Sequence, residues 1–170
     1  MRIMIIGFGA IGQRHFKNLI KRTDCEIAIC RRSQQDANKT QTQWGIPAFE
    51  SLQASENWHP DCVIICTPTS THVGTAQWAI NQGSHVLIEK PISHTLDGVD
   101  TLIAKAKEQK LSIKIACNLR FHPALLTIKE TIAEGRIGSL LSIRAEVGTY
   151  LPDWPPSQDY RTEYSARSDL

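Results

Sequence analysis

Three glycines, Gly7, Gly9 and Gly12, break the chain just after the apolar run Arg2-Ile3-Met4-Ile5-Ile6, and Gln13-Arg14-His15-Phe16-Lys17-Asn18-Leu19-Ile20 follows them. A short, nearly continuous apolar run suits a strand buried on both faces, as in a parallel sheet. The segment after it carries Ile11, Phe16, Leu19 and Ile20 at helical spacing. In a strand-turn-helix unit the glycines have separate work: Gly7 permits the tight turn, Gly9 lets a pyrophosphate approach the backbone, and Gly12 lets the helix pack close to the strand. The helix N-terminus then offers unpaired N–H groups to phosphate. An ordinary strand-to-helix turn also uses glycine, but a strand before and a helix after favour a dinucleotide site over residues Gly7, Phe8, Gly9, Ala10, Ile11 and Gly12.

With 170 residues the chain has room for one domain with a sizeable core and not for two full ones. The net charge of +2 and pI near 8.3, with Lys and Arg scattered, argue against a nucleic-acid partner. No apolar run approaches the ~20 residues of a membrane span, and residues 1–6 are too few for a signal peptide. The expectation is a cytoplasmic protein. Cys25, Cys30, Cys62 and Cys66 sit in strand-like runs, and with Cys117 the count is odd. They read as reduced, small core residues and not as metal ligands.

Strand and helix patterns alternate along the chain. Strands are expected over residues 25–30, 46–49 (short), 62–66, 85–88 and 111–117. Ser33 caps a helix through Trp44, with Asp36 completing a capping box and Gly45 ending it. Further helices are expected over residues 51–58 (brief), 73–82 and 96–109, the last packing Leu96, Val99, Leu102, Ile103 and Ala106 on one face. A final helix opens at Pro123 and closes at Gly135. This order predicts an α/β fold, a doubly wound parallel sheet with right-handed crossovers. From Ser139 the pattern changes: Leu141, Ile143, Ala145 and Val147 alternate with polar residues, as in an antiparallel strand of a second, truncated α+β domain. The expected division is a Rossmann dinucleotide-binding domain over residues 1–120 and a connecting helix with the start of a substrate or oligomerisation domain over 121–170.

Gly7-Phe8-Gly9-Ala10-Ile11-Gly12, Thr67-Pro68-Thr69-Ser70-Thr71-His72, Glu89-Lys90-Pro91, Arg120-Phe121-His122-Pro123 and the Arg136-Ile137-Gly138 turn together resemble the Gfo/Idh/MocA family, relatives of glucose-fructose oxidoreductase and inositol dehydrogenase. The resemblance implies hydride transfer between a sugar, nucleotide-sugar or cyclitol carbon and NAD or NADP. It makes Lys90 the active-site lysine, close to the nicotinamide as a cofactor contact and to the reacting hydroxyl, and Glu89 a contact of the nicotinamide ribose, with Pro91 fixing the turn. It adds Thr67, Pro68, Thr69, His72, Asn118 and Arg120 to the cofactor contacts. An ammonium at a strand's carboxyl end can stabilise negative charge on a substrate oxygen, which agrees with that role.

The end of the second strand reads Cys30-Arg31-Arg32-Ser33. NAD sites place a carboxylate about 20 residues beyond the glycine turn, whereas arginine accommodates a 2′-phosphate. With no carboxylate in that tetrapeptide, Arg31, Arg32 and Ser33 are expected to favour NADP over NAD.

The resemblance is incomplete. Members of the family continue, past the equivalent of Ser168-Asp169-Leu170, into a helix carrying an Asp and a His, the His being the usual proton acceptor, and neither motif is present. His72, His94 and His122 read as loop or capping residues and not as replacements. The chain is therefore expected to bind cofactor without turnover and to self-associate through the strand near residues 140–147. A non-catalytic dinucleotide-binding sensor or partner protein is the alternative. Leu151-Pro152-Asp153-Trp154, Tyr160-Arg161 and Tyr164-Ser165-Ala166 look like members from nucleotide-sugar or nonulosonic-acid pathways.

Overall fold

The computed structural model describes residues 1–22, 24–148, 150, 159 and 161. The chain divides into two compact units, Met1–Ala116 and Cys117–Leu170.

In the first unit a six-stranded sheet is built from β1 (Arg2–Ile6), β2 (Glu26–Cys30), β3 (Ala48–Phe49), β4 (Cys62–Ile65), β5 (His85–Ile88) and β6 (Ile113–Ile115). Its order is β3-β2-β1-β4-β5-β6, and every neighbouring pair is parallel. Four helices cover it: α1 (Ala10–Leu19), α2 (Gln34–Trp44), α3 (His72–Asn81) and α4 (Val99–Glu108). The chain runs outward from β1 in one direction, returns, and runs outward from β4 in the other. The crevice between β1 and β4 is thus the point where strand order reverses, the place where open α/β sheets receive ligands.

The apolar run of β1 is continuous because both of its faces are covered. Met4 and Ile6 join a core with Val63, Ile65, Ala76, Ile80, Val86, Ile88 and Leu102, beneath α3 and α4. Ile3 and Ile5 join the opposite core with Phe16, Ile27, Ile29 and Ile64, beneath α1. Phe16 is the centre of that second core, in edge contact with Phe8 (5.6 Å between centroids) and with Trp44 of α2 (5.0 Å). Burying a side chain of this size stabilises the fold by about 1.5–3 kcal/mol.

Ser33 caps α2 as expected, its hydroxyl accepting from the Asp36 N–H at 3.2 Å, and Gly45 ends the helix at φ +65°. Other expectations need correction. The helix read over residues 96–109 begins only at Val99, because Gly98 turns the backbone into the left-handed region at φ +74°. Leu96 lies before that turn and is 82% exposed. Val99, Leu102 and Ala106 make the buried stripe, and Ile103, on its flank, is exposed, as are Ile11 and Ile20 of the first helical pattern. All five cysteines are free, with Cys30 buried and Cys25, Cys62 and Cys66 half-buried, whereas Cys117 is exposed and outside the core.

The second unit contains a 3-10 turn, Asn118–Phe121, and helix α5 (Pro123–Ala133), with Pro123 in its first turn. The Gly135 N–H donates to Ile132 and the Arg136 N–H to Thr131, closing the helix with Gly135 at φ +68°. The strand expected near residues 140–147 is not formed among the described residues, and Leu141, Ile143 and Val147 are exposed. Alternation encodes which side chains share a face; a strand also needs a neighbour to complete its hydrogen bonds. The segments at 151–154, Tyr160 and 164–166 lie outside the described residues. Among the described residues no helix is long and apolar enough to cross a membrane, and no cluster of His, Cys, Asp and Glu could hold a metal.

Candidate functional site

The glycine turn between β1 and α1 has one open position between two closed ones. Gly7 has φ +87°, and a Cβ there would stand 2.6 Å from the carbonyl oxygen of Cys66 at the end of β4. A Cβ on Gly12 would stand 2.2 Å from the Gly7 carbonyl oxygen. Gly9 differs: a Cβ there would meet nothing within 4 Å. It is the N-cap of α1, no side chain caps that helix, and no acidic residue lies in its first turn. Exposed Ala10 and Ile11 follow. The turn is therefore packed where it touches the sheet and vacant where uncapped helix amides face outward, a cradle for an anionic group.

Beside this turn the end of β2 places Arg31 against Phe8. The Arg31 guanidinium carbon lies 5.5 Å from the Phe8 ring centroid, and Nη1 donates to the Phe8 carbonyl at 3.0 Å. Its Nη2 stands 3.4 Å from Asp36 Oδ1. Asp36 also accepts from the Ser33 hydroxyl at 3.0 Å, and that bond, with the Arg31 charge next, holds its carboxyl below the usual carboxylate range. Arg32 and Ser33 are exposed. The expectation that no carboxylate stands near the arginines holds for the tetrapeptide and fails in space, because the first turn of α2 brings Asp36 back to Arg31.

The loops after β4 and β5 complete the crevice. Thr67 and Pro68 lead into a 3-10 turn, Thr69–Thr71, where the Thr71 hydroxyl donates to the Pro68 carbonyl and pairs with the Thr67 hydroxyl, both at 2.8 Å. The amide of Thr67 borders the Gly7 turn, 3.1 Å from where a Gly7 Cβ would lie. His72, at the start of α3, is 1% exposed, with Nδ1 2.9 Å from the Pro91 carbonyl oxygen and Nε2 2.9 Å from that of Thr67. Its ring faces the protein on both sides. Glu89 Oε1 lies 2.7 Å from Nε2 of His15 on α1, and Glu89 Oε2 accepts from the Lys90 N–H at 3.3 Å. Lys90 is exposed at the carboxyl end of β5, and the Lys90-Pro91 peptide is cis. Burial pushes the Cys66 thiol, beneath these loops, up to about 12, with the Glu89 charge adding to the effect.

Gly7 to Gly12, Arg31, Thr67, His72 and Glu89-Lys90 are therefore linked through direct contacts. Asn118 and Arg120 belong to the second unit, in its 3-10 turn, where the Arg120 N–H donates to the Cys117 carbonyl. Sequence reasoning missed His15 and gave Asp36 only a capping role. A histidine inside an amphipathic helix carries no local sign of a partner 74 residues away.

The family model described as oxidoreductase family, NAD-binding Rossmann fold (Gfo/Idh/MocA) matches residues 1–116. The chain belongs to this family. Among its Gfo/Idh/MocA relatives, UDP-N-acetylglucosamine 3-dehydrogenase of Acidithiobacillus ferrooxidans is 32% identical over 130 residues, covering 76% of this chain and 41% of the relative. The scyllo-inositol 2-dehydrogenase (NAD(+)) of Bacillus subtilis is 30% identical over 145 residues, covering 81% and 42%. The WlbA dehydrogenase from Bordetella pertussis, solved with NADH and UDP-GlcNAcA, superposes with a TM-score of 0.75 at 23% identity over 81% of this chain and 41% of that one, a likeness of fold. The chain spans less than half the length of these relatives.

Proposed function

We propose that this chain is the cofactor-binding part of an oxidoreductase that moves hydride to or from a carbon bearing a hydroxyl in a sugar, nucleotide sugar or cyclitol. The observation that carries it is the vacancy over Gly9 between two glycines that tolerate no side chain. Those residues fit a dinucleotide: the α1 amides would hold the pyrophosphate, with Thr67, Pro68 and Thr69 beside it at the β1/β4 crevice. A nicotinamide dinucleotide supplies a two-electron hydride acceptor or donor when bound. Lys90, exposed after β5, has the charge to orient a substrate hydroxyl and to stabilise the oxygen as negative charge develops on it. The two curated relatives named above, one acting on a UDP-sugar and one on an inositol by name, support the substrate class.

The preference is for NADP over NAD. Arg32 is exposed and makes no hydrogen bond or close ion pair among the described residues, its charge acting on Asp36 only at longer range, and Arg31 keeps a fixed position beside it through Phe8. Both can donate to a 2′-phosphate. Titration of the chain with NADPH and with NADH, followed by fluorescence, tests both statements. Saturable binding with NADPH the tighter is expected; no binding of either overturns the function, and tighter NADH overturns the preference. A panel of sugars, nucleotide sugars and cyclitols with NADP or NAD then tests hydride transfer by cofactor absorbance.

A further inference from the structure

The exposed Lys90 ammonium makes no hydrogen bond or ion pair among the described residues, so what the fold fixes is the backbone turn from which its flexible stem starts. That turn is gripped on both sides. Before Lys90, the Glu89 carboxylate is engaged by His15 at 2.7 Å, in a pair whose side chains are 22% and 14% exposed, and by the Lys90 N–H. After Lys90, the Pro91 carbonyl is met by Nδ1 of buried His72, whose Nε2 meets the Thr67 carbonyl on the β4 loop. Both carbonyls can only accept, so a ring carrying a single N–H donates to Pro91 or to Thr67 according to its tautomer.

We propose that His15 and His72 are positioning residues for Lys90, tying the Glu89-Lys90-Pro91 turn to the two helices that begin at the cofactor loops. His15 stands in the second turn of α1, whose N-terminus faces the Gly9 vacancy, so a shift of that helix is carried through Glu89 to the lysine turn. His72 begins α3 directly behind the Thr67 loop, so the turn also follows that loop. Glu89 accordingly spends its carboxylate on holding the turn. The two histidines thereby couple the phosphate-binding end of the crevice to its reacting end.

This inference rests on the dinucleotide reading above, and the test separates the two. The unaltered chain and its variants are titrated with the full dinucleotide it binds more tightly, NADPH or NADH. They are then titrated with the adenosine half alone, adenosine 2′,5′-bisphosphate or ADP. His15→Ala and His72→Gln release the backbone of the whole Glu89-Lys90-Pro91 turn, which removing the Lys90 ammonium alone does not, and each is expected to weaken the full dinucleotide about tenfold, the equivalent of one hydrogen bond, and the adenosine half by no more than about twofold. His15→Gln, which keeps a donor for Glu89, is expected to recover most of the loss. His15 is half-exposed, so its variants keep the inference falsifiable if the buried His72 variant does not fold, which circular dichroism decides. Equal losses with both probes mean a general structural role and overturn the proposal, as do unchanged affinities or failure of His15→Gln to recover. If the unaltered chain binds neither probe, the dinucleotide reading falls and takes this one with it.

Discussion

Arg31 lies across the ring of Phe8, donates to its carbonyl at 3.0 Å, and faces the Asp36 carboxylate at 3.4 Å. The residue that would select for a 2′-phosphate is thus braced by the glycine turn and partly neutralised by a neighbour. Asp36 stays charged at neutral pH, since its carboxyl is held below the usual range by Ser33 and Arg31. Asp36→Asn removes that charge and leaves Arg31 on Phe8. We expect NADPH affinity to rise about threefold, with NADH little changed, because a solvent-screened charge contact is weak. Arg32→Ala should lower NADPH affinity alone, and paired titrations with the two cofactors check both.

The glycines separate stability from binding. Gly12→Ala forces a Cβ to within 2.2 Å of a backbone oxygen that cannot move aside cheaply, and a loss of about 3 kcal/mol is expected. Gly9→Ala meets nothing within 4 Å, so the cost should be no more than that of a poorer N-cap, about 1 kcal/mol. Gly9→Val should abolish measurable dinucleotide binding while the protein remains folded. Urea unfolding of the three variants, with cofactor titration of the two Gly9 variants, tests the assignment.

Burial raises the thiols of Cys66 to about 12 and of Cys30 to about 11. An unfolded thiol titrates near 8.5. Between these values the folded state binds more protons than the unfolded one, so stability falls as pH rises from about 9 toward 11. Below about pH 8 these two groups contribute no pH dependence. Cys117 is exposed, and iodoacetamide at pH 8 should label it long before Cys30 or Cys66, as mass spectrometry of the digested protein would show.

The parts of this fold legible in sequence are those set by short-range physics. The β1 run, the Ser33 cap and the Gly45 stop follow from burial on two faces, one hydroxyl and one positive φ. What escaped depends on partners distant in sequence or on local turns hidden by periodicity. Leu96 fits a helical stripe that Gly98 interrupts, and residues 140–147 carry a strand's alternation without a paired neighbour. At the site, the glycine spacing was readable. The contacts of Glu89 with His15 and of His72 with Pro91 were not, because they join residues 74 and 19 positions apart through packing alone.

Lys90 offers the most direct test of chemistry against binding. Its ammonium is exposed and unpaired among the described residues, so removing it costs the fold little. Lys90→Met keeps the stem and deletes the charge; Lys90→Arg keeps a charge but replaces a compact rotating donor by a planar fork. If the lysine acts on the substrate oxygen, both variants should bind NADPH within about threefold of the unaltered chain. Both should lower any sugar- or cyclitol-dependent hydride transfer by about 100-fold, the scale of one lost electrostatic donor at a developing oxyanion. Titration gives the first quantity and NADPH absorbance the second. Turnover that survives Lys90→Met would place the reacting oxygen elsewhere, and a cofactor affinity that collapses in Lys90→Met would make the lysine a cofactor anchor instead.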